Sequence, residues 1–201
     1  MITQLLTSPS LTPSITAEVA DMRNPVSGSA TEGSFSHVFS TMAIQALRDP
    51  AGEGILSQWA RLLKPDGIVA IGIWIFDESC GPHKLWADAA RAVDPSYVNP
   101  PLLPPGYWRG TAQLEEGLRA AGFRDVKAES RVIGFDVGKE GFLRYFWESG
   151  SGSAVERQES FKGDLGKVRV KMERLLDEVY DGGRRIPLSV GLAVGRKPET
   201  V

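Results

Sequence analysis

Seven consecutive residues, Ile68-Val69-Ala70-Ile71-Gly72-Ile73-Trp74, carry no charge and almost no polarity. So short an apolar run, opened by Pro65-Asp66-Gly67, reads as a strand, and the absence of alternation means that both its faces are covered. Just upstream, Ile55, Leu56, Trp59, Leu62 and Leu63 fall at i, i+1, i+4, i+7 and i+8, which is one stripe of a helix. Pro65 cannot continue that helix, and Asp66-Gly67 supplies the reversal into the strand. A helix feeding a doubly covered strand is the unit of an α/β sheet, so the chain is expected to be α/β.

The remaining pattern fits that class. Ile15–Val19 alternates as a half-buried strand should, Phe35–Phe39 is a short strand, and Asn24 to Gly33 between them is a Ser/Gly/Pro-rich loop. Met42 to Leu47 suggests one or two helical turns. Leu85, Trp86, Ala89, Ala90 and Val93 mark a helix stopped by Asp94-Pro95. Thr111 is expected to cap a helix whose buried stripe is Leu114, Leu118 and Ala121, with Gly122-Phe123 as its stop. Val126 to Val132 alternates as a strand, Phe142 to Trp147 is an aromatic helix, and Gly150 to Ser153 a joint. Val155 to Tyr180 reads as one long helix with Val168, Met172, Leu175, Leu176 and Val179 inward. Ile186, Leu188, Val190, Leu192 and Val194 alternate through a last strand. Residues 1–14 are expected to form a flexible N-terminal segment and residues 15–201 one domain, with no internal repeat.

Charge and composition exclude several classes. Lys and Arg number 23 against 25 Asp and Glu, without the basic excess of a nucleic-acid binder. No run reaches the ~18–20 apolar residues of a membrane span, and the Ser/Thr/Pro-rich start lacks a signal peptide's pattern. Cys80 is the only cysteine, which rules out an internal disulfide. A soluble, cytoplasmic protein without membrane or nucleic-acid partners is expected. Two histidines and one cysteine make no recognisable metal set.

Phe35-Ser36-His37-Val38, then Ser40-Thr41-Met42, a helix, Arg61-Leu62-Leu63-Lys64-Pro65-Asp66-Gly67 and an apolar strand together resemble the class I S-adenosylmethionine (SAM)-dependent methyltransferases, of the small-molecule type found in fungal and bacterial secondary metabolism. Val19-Ala20-Asp21-Met22 resembles the family's third strand and the acidic residue after it; Arg109 to Glu129 resembles the later helix and sixth strand, and Ile186 to Lys197 the final antiparallel strand. Ser36 departs from the Asp usual after Phe. The resemblance implies a partial Rossmann-like sheet, strands three to seven of the family pattern, with helices on both faces and a helical insertion before the last strand. It also implies SAM as cofactor, with Asp21, Met22, Ser40 and Thr41 as cofactor-binding candidates. The family opens with a strand, a Gly-x-Gly-x-Gly turn and a helix that hold the cofactor. Fourteen residues before Ile15 cannot hold that unit, and Gly52-Glu53-Gly54 and Gly150-Ser151-Gly152 read as loops. The expectation is therefore a truncated domain with an open sheet edge at Phe35–Phe39, covered by a homodimer partner, by another chain or by the N-terminal strand rearranged against it.

Ligands of open α/β sheets lie beyond the carboxyl ends of the strands, here Asp21-Met22, Ser40-Thr41-Met42 and Trp74-Ile75-Phe76. Each candidate there has two readings. Asp21 contacts an adenine or caps a turn. Ser40, Thr41 and Met42 line a cleft or are plain loop residues. Trp74 is a substrate wall or a core tryptophan. His83, after Gly81-Pro82 and beyond the central strand, is a general base or a solvated helix-start histidine, whereas His37 lies within a strand. Tyr107 and Trp108 are substrate-binding candidates beside Met42 and Trp74, and Phe142, Tyr145, Phe146 and Trp147 either cover an apolar ligand or pack on the sheet.

Three functions follow as expectations. The first is methylation of a small molecule, with SAM bound and the cofactor site completed. The second is a cofactor-independent cyclisation or isomerisation on the same scaffold, and the third a non-catalytic partner subunit.

Overall fold

The computed structural model describes residues 18–26, 30–47, 53–77, 80–101 and 107–199. Four strands, β1 (Phe35–Thr41), β2 (Leu63–Ile75), β3 (Arg124–Phe135) and β4 (Ile186–Arg196), form one sheet in the order β1-β2-β4-β3. β1 and β2 run parallel, and β4 lies antiparallel between β2 and β3. Around them lie helices α1 (Glu53–Leu62), α2 (Gly81–Val93), α3 (Thr111–Ala120), α4 (Gly138–Glu148), α5 (Gly152–Ser160) and α6 (Leu165–Glu178). The α/β class, the antiparallel last strand and the helical insertion α4–α6 agree with the sequence expectation. The expected strand Ile15–Val19 falls mostly outside the described residues; Glu18 and Val19 belong to no strand, and Val19 is exposed.

The two faces of the sheet are covered differently. On one, Val69, Ile71 and Ile73 of β2, Val38 of β1 and Ala193 of β4 pack beneath Ile55, Leu56 and Trp59 of α1 and Leu114 and Leu118 of α3. On the other, α2, α4, α5 and α6 gather around Trp86, Phe142, Phe146, Met172 and Leu176 and meet the sheet at Phe135 and Ile186. Register places Phe39, Ala70, Val194 and Leu192 on this second face. There Phe39 is 71% exposed and Leu192 and Val194 each 40%. Helices thus lie on both faces, but on the second they cover only the end toward the carboxyl terminus of β2.

Three local expectations change. The Lys64–Gly67 turn is a bulge inside β2: Leu63 pairs with Phe35 before the register slips to His37 and Ile68. Asp66, not Gly67, takes the positive φ of 61°. Glycine is required at 67 for space, because a Cβ there would lie 2.9 Å from the Lys64 carbonyl oxygen and 3.0 Å from the Leu63 Cβ. The helix expected to start at a Thr111 cap begins with Thr111 inside it and extended Gly110 as its cap. The single helix expected from Val155 to Tyr180 is two, α5 and α6. Asp164 starts the second by accepting the Lys167 backbone N–H at 3.2 Å, and buried Phe161 anchors the break. Val168, Met172 and Leu176 of the second helix are buried as expected, whereas Val179, its C-cap, is 62% exposed.

Candidate functional site

Beyond the carboxyl end of β2, between the sheet and the insertion, lies a cavity of about 250 Å³. Trp74 and Phe76 form one wall, Phe135 and Leu188 the sheet side, Pro82 and His83 the start of α2, and Tyr145, Phe146, Ala154 and Arg157 the insertion side. The position is the one that parallel strand geometry favours for a ligand. Trp74 is held by its backbone N–H, which donates to the buried Gln45 Oε1 at 2.6 Å, and Met42 N–H donates to the Gly72 carbonyl at 2.7 Å. These two bonds lace the segment after β1 to the end of β2, and Met42 does so from a positive φ of 55°.

His83 sits in the first turn of α2, whose start is pressed on β4. A Cβ at Gly81 would lie 2.6 Å from both Ile186 Cγ2 and the Pro187 carbonyl oxygen, so only glycine permits that approach. Arg157 Nη2 donates to His83 Nδ1 at 2.7 Å. A guanidinium only donates, so Nδ1 carries the lone pair and Nε2 the proton. The Asn99 side-chain amide lies 2.9 Å from Nε2, and the network is satisfied with its oxygen toward that N–H. Burial first, then the positive charges of Arg157 and Arg91, push the His83 pKa down to about 4. His83 is neutral at pH 7, with its basic nitrogen already occupied.

Arg157 is 3% exposed. Its Nη1 donates to the Ser153 carbonyl at 2.5 Å, and its own carbonyl accepts from Ser160 Oγ at 2.8 Å. Ser160 Oγ lies 2.8 Å from Tyr97 Oη, which accepts from Trp86 Nε1–H at 3.0 Å. A buried polar chain therefore fixes α5 against α2 and holds the guanidinium at the cavity wall. Burial pulls the guanidinium's pKa downward, yet arginine stays charged. Cys80 is also in the wall, its thiol pushed up by burial and so poorly nucleophilic.

The sequence candidates separate in space. Trp74 and His83 share the cavity, whereas Met42 does not line it and is tied instead to the Gly72 carbonyl of β2. Trp108 is buried under α3 on the opposite face, with its ring against Gly117, and Tyr107 is half-buried beside it in the chain. Asp21 lies in an exposed turn, its carboxylate gripped by Arg23 at 2.9–3.2 Å, which holds it below the usual carboxylate range. Met22 packs on the first-face core, and its carbonyl accepts the Trp59 indole N–H at 2.9 Å. Ser40 is buried with its hydroxyl unpartnered, and Thr41 is exposed at the end of β1. Of the aromatic cluster, Tyr145 and Phe146 reach the cavity, whereas Phe142 fills the core and Trp147 stacks under Arg169 at 5.9 Å. Arg157 was not legible as a site residue. Ala154, Arg157 and Phe161 form an i, i+3, i+7 stripe, but a central arginine makes the stripe read as solvated.

Among the described residues no helix is long and apolar enough to cross a membrane, and no group of three His, Cys, Asp or Glu side chains could hold a metal.

No family model and no curated protein matches the chain. Solved structures do. The Haemonchus contortus phosphoethanolamine N-methyltransferase 2, solved with phosphomonomethylethanolamine and S-adenosylhomocysteine, is 19% identical at a TM-score of 0.44 over 90% of this chain. The [4+2]-cyclase SpnF is 16% identical at 0.42 over 91%. A candidate methyltransferase of Haloferax volcanii, in complex with the Trm112 methyltransferase activator, is 21% identical at 0.48 over 98%. The chain spans 37% of the first of these proteins, 57% of the second and 66% of the third. Identities and scores of this size assign neither a reaction nor a ligand to the chain.

Proposed function

We propose that the chain is a SAM-dependent methyltransferase-family protein acting on a small molecule, with the cavity at the end of β2 as its substrate site. The observation that carries this reading is positional: a mostly apolar cavity with a few convergent polar groups sits beyond the carboxyl end of the central parallel strand. Ser40 supports a neighbouring ligand. A buried hydroxyl without a partner costs free energy, and at the end of β1 a bound polar group would satisfy it. In this reading Asp21, Met22, Ser40 and Thr41 would hold SAM, Asp21 exchanging its bond to Arg23 for one to the ligand, and bound SAM supplies an electrophilic methyl group.

The chain's own residues have distinct tasks in this reading. The aromatic wall excludes water from the cavity and fixes the orientation of a flat or apolar substrate. Neutral His83, its Nδ1 accepting from Arg157 and its Nε2–H facing Asn99, has a positioning task in place of the proton abstraction expected from the sequence, since a group with a pKa of about 4 is a weak base. Calorimetric titration with SAM tests the reading. Micromolar binding that weakens in Ser40→Ala supports it; a folded chain that takes up no SAM at millimolar concentration overturns it for this chain alone.

The free edge of β1 and the uncovered second face favour a complementary reading of assembly. β1 has one neighbour among the described strands, and Phe39, Leu192 and Val194 form an exposed apolar patch beside it. A second copy or a partner chain would pair there and cover the patch. Sedimentation of the chain as a concentration-independent monomer would count against self-association. The absence of any complex with a candidate partner of the methyltransferase family would count against the second route.

A further inference from the structure

Arg157 poses a charge problem that no ion pair among the described residues solves. It is nearly fully buried, it lines the cavity, and none of the ion pairs among the described residues includes it. Its hydrogen bonds go to a neutral imidazole nitrogen and a backbone carbonyl, which take two of its five N–H groups and none of its charge. A buried charge is retained when it is paired; Glu156, its neighbour in the chain, attracts it without forming an ion pair, and the described wall residues offer no other formal charge at neutral pH. The missing counter-charge is therefore expected to come from whatever fills the cavity.

The remaining wall narrows the class. Trp74, Phe76, Phe135, Phe146 and Leu188 are apolar, so the body of the ligand is apolar. A single guanidinium without a second cation suits a singly charged, planar head better than a phosphate dianion, and a guanidinium fork matches a carboxylate in geometry. We infer that the cavity binds an apolar or aromatic monocarboxylate, with its carboxylate on Arg157 and its hydrocarbon body against Trp74 and Phe146. His83 serves the same end: by accepting from Nη2 it fixes the plane of the guanidinium, which is a positioning role.

This inference rests on the cavity being the substrate site proposed above, and it is tested without SAM, so the two can fail separately. The full chain is titrated calorimetrically with 2-naphthoate, trans-cinnamate and octanoate, each beside its own carboxamide, which keeps the shape and removes the charge. At least one acid is expected to bind about tenfold or more tighter than its amide, a difference of about 1.4 kcal/mol. Arg157→Gln should bring that acid down to the level of the amide, and Arg157→Lys, which keeps the charge, should restore part of the preference. Acids and amides that bind alike, acids that fail to bind at millimolar concentration, or an acid preference intact in Arg157→Gln would each overturn it. If Arg157→Gln does not fold, the acid–amide comparison on the unaltered chain decides alone. Loss of acid binding refutes the substrate class, and SAM titration still decides methyl transfer.

Discussion

Acidification from pH 6.5 to pH 4 should destabilise this protein through His83, and the size of the effect follows from the site. The folded imidazole holds its proton only below about pH 4, because burial and two arginines oppose a further positive charge, whereas the unfolded chain binds it near 6.5. Between these values the unfolded state carries more protons, so stability falls as pH falls and is fully recovered above 6.5. The separation corresponds to about 3.4 kcal/mol at 1.36 kcal/mol per tenfold. His83 is only half-buried, so solvent screening reduces this to about 1.5–2 kcal/mol. Carboxylates held below their usual range, such as Asp21 and Asp94, lose their contribution only at lower pH and leave this window to the histidine. Urea unfolding across the window, on the unaltered chain and on His83→Gln, isolates the effect, because the Gln carbonyl still accepts from Arg157 and does not titrate. The chain has two histidines, so an NMR titration of the assigned His83 ring checks the cause directly. A pH slope unchanged in the variant, or a ring that titrates at pH 6 or above, would refute the reasoning.

Gly81→Ala should cost about 3 kcal/mol by chemical denaturation, because the new methyl group collides with Ile186 and with Pro187 backbone at 2.6 Å. Ser40→Ala should stabilise the protein by about 1 kcal/mol, since it removes a buried hydroxyl without a partner; its melting temperature should rise while SAM affinity falls. Trp86→Ala should cost about 3–5 kcal/mol as the centre of the insertion's aromatic core. Trp86→Phe should cost only about 1 kcal/mol, because Tyr97 keeps Ser160. Phe39→Lys, on the exposed patch, should weaken self-association in sedimentation velocity and leave the monomer's stability within about 0.5 kcal/mol.

Local rules carried the elements. The uncharged run Ile68–Trp74, the stripe of α1 and the alternation of β4 each express a periodicity of the chain itself, and each element formed where its pattern lies. The break between α5 and α6 escaped because Lys162-Gly163-Asp164 is a weak local signal and the stop depends on Phe161 finding the Trp86 core. The cap at Gly110 and the positive φ at Asp66 escaped for the same reason: both depend on how a segment meets its neighbours.

The site divides along the same line. Chain order alone places Trp74 and His83 at a strand end, because one closes the central strand and the other follows it. Their surroundings were decided only by tertiary structure. Arg157 lies 74 residues after His83 in the chain and 2.7 Å from it in space, and Trp108, adjacent in the chain to Tyr107, lies across the sheet from the cavity. Sequence patterns report which residues prefer burial. Whether a charged side chain is buried against that preference is set by long-range packing, here by the Trp86–Tyr97–Ser160 chain that pins α5 to α2. The amino-acid sequence by itself determined an α/β sheet with its strand ends as the place to look. Tertiary structure decided that the place is a cavity walled by a buried arginine that no ion pair among the described residues neutralises.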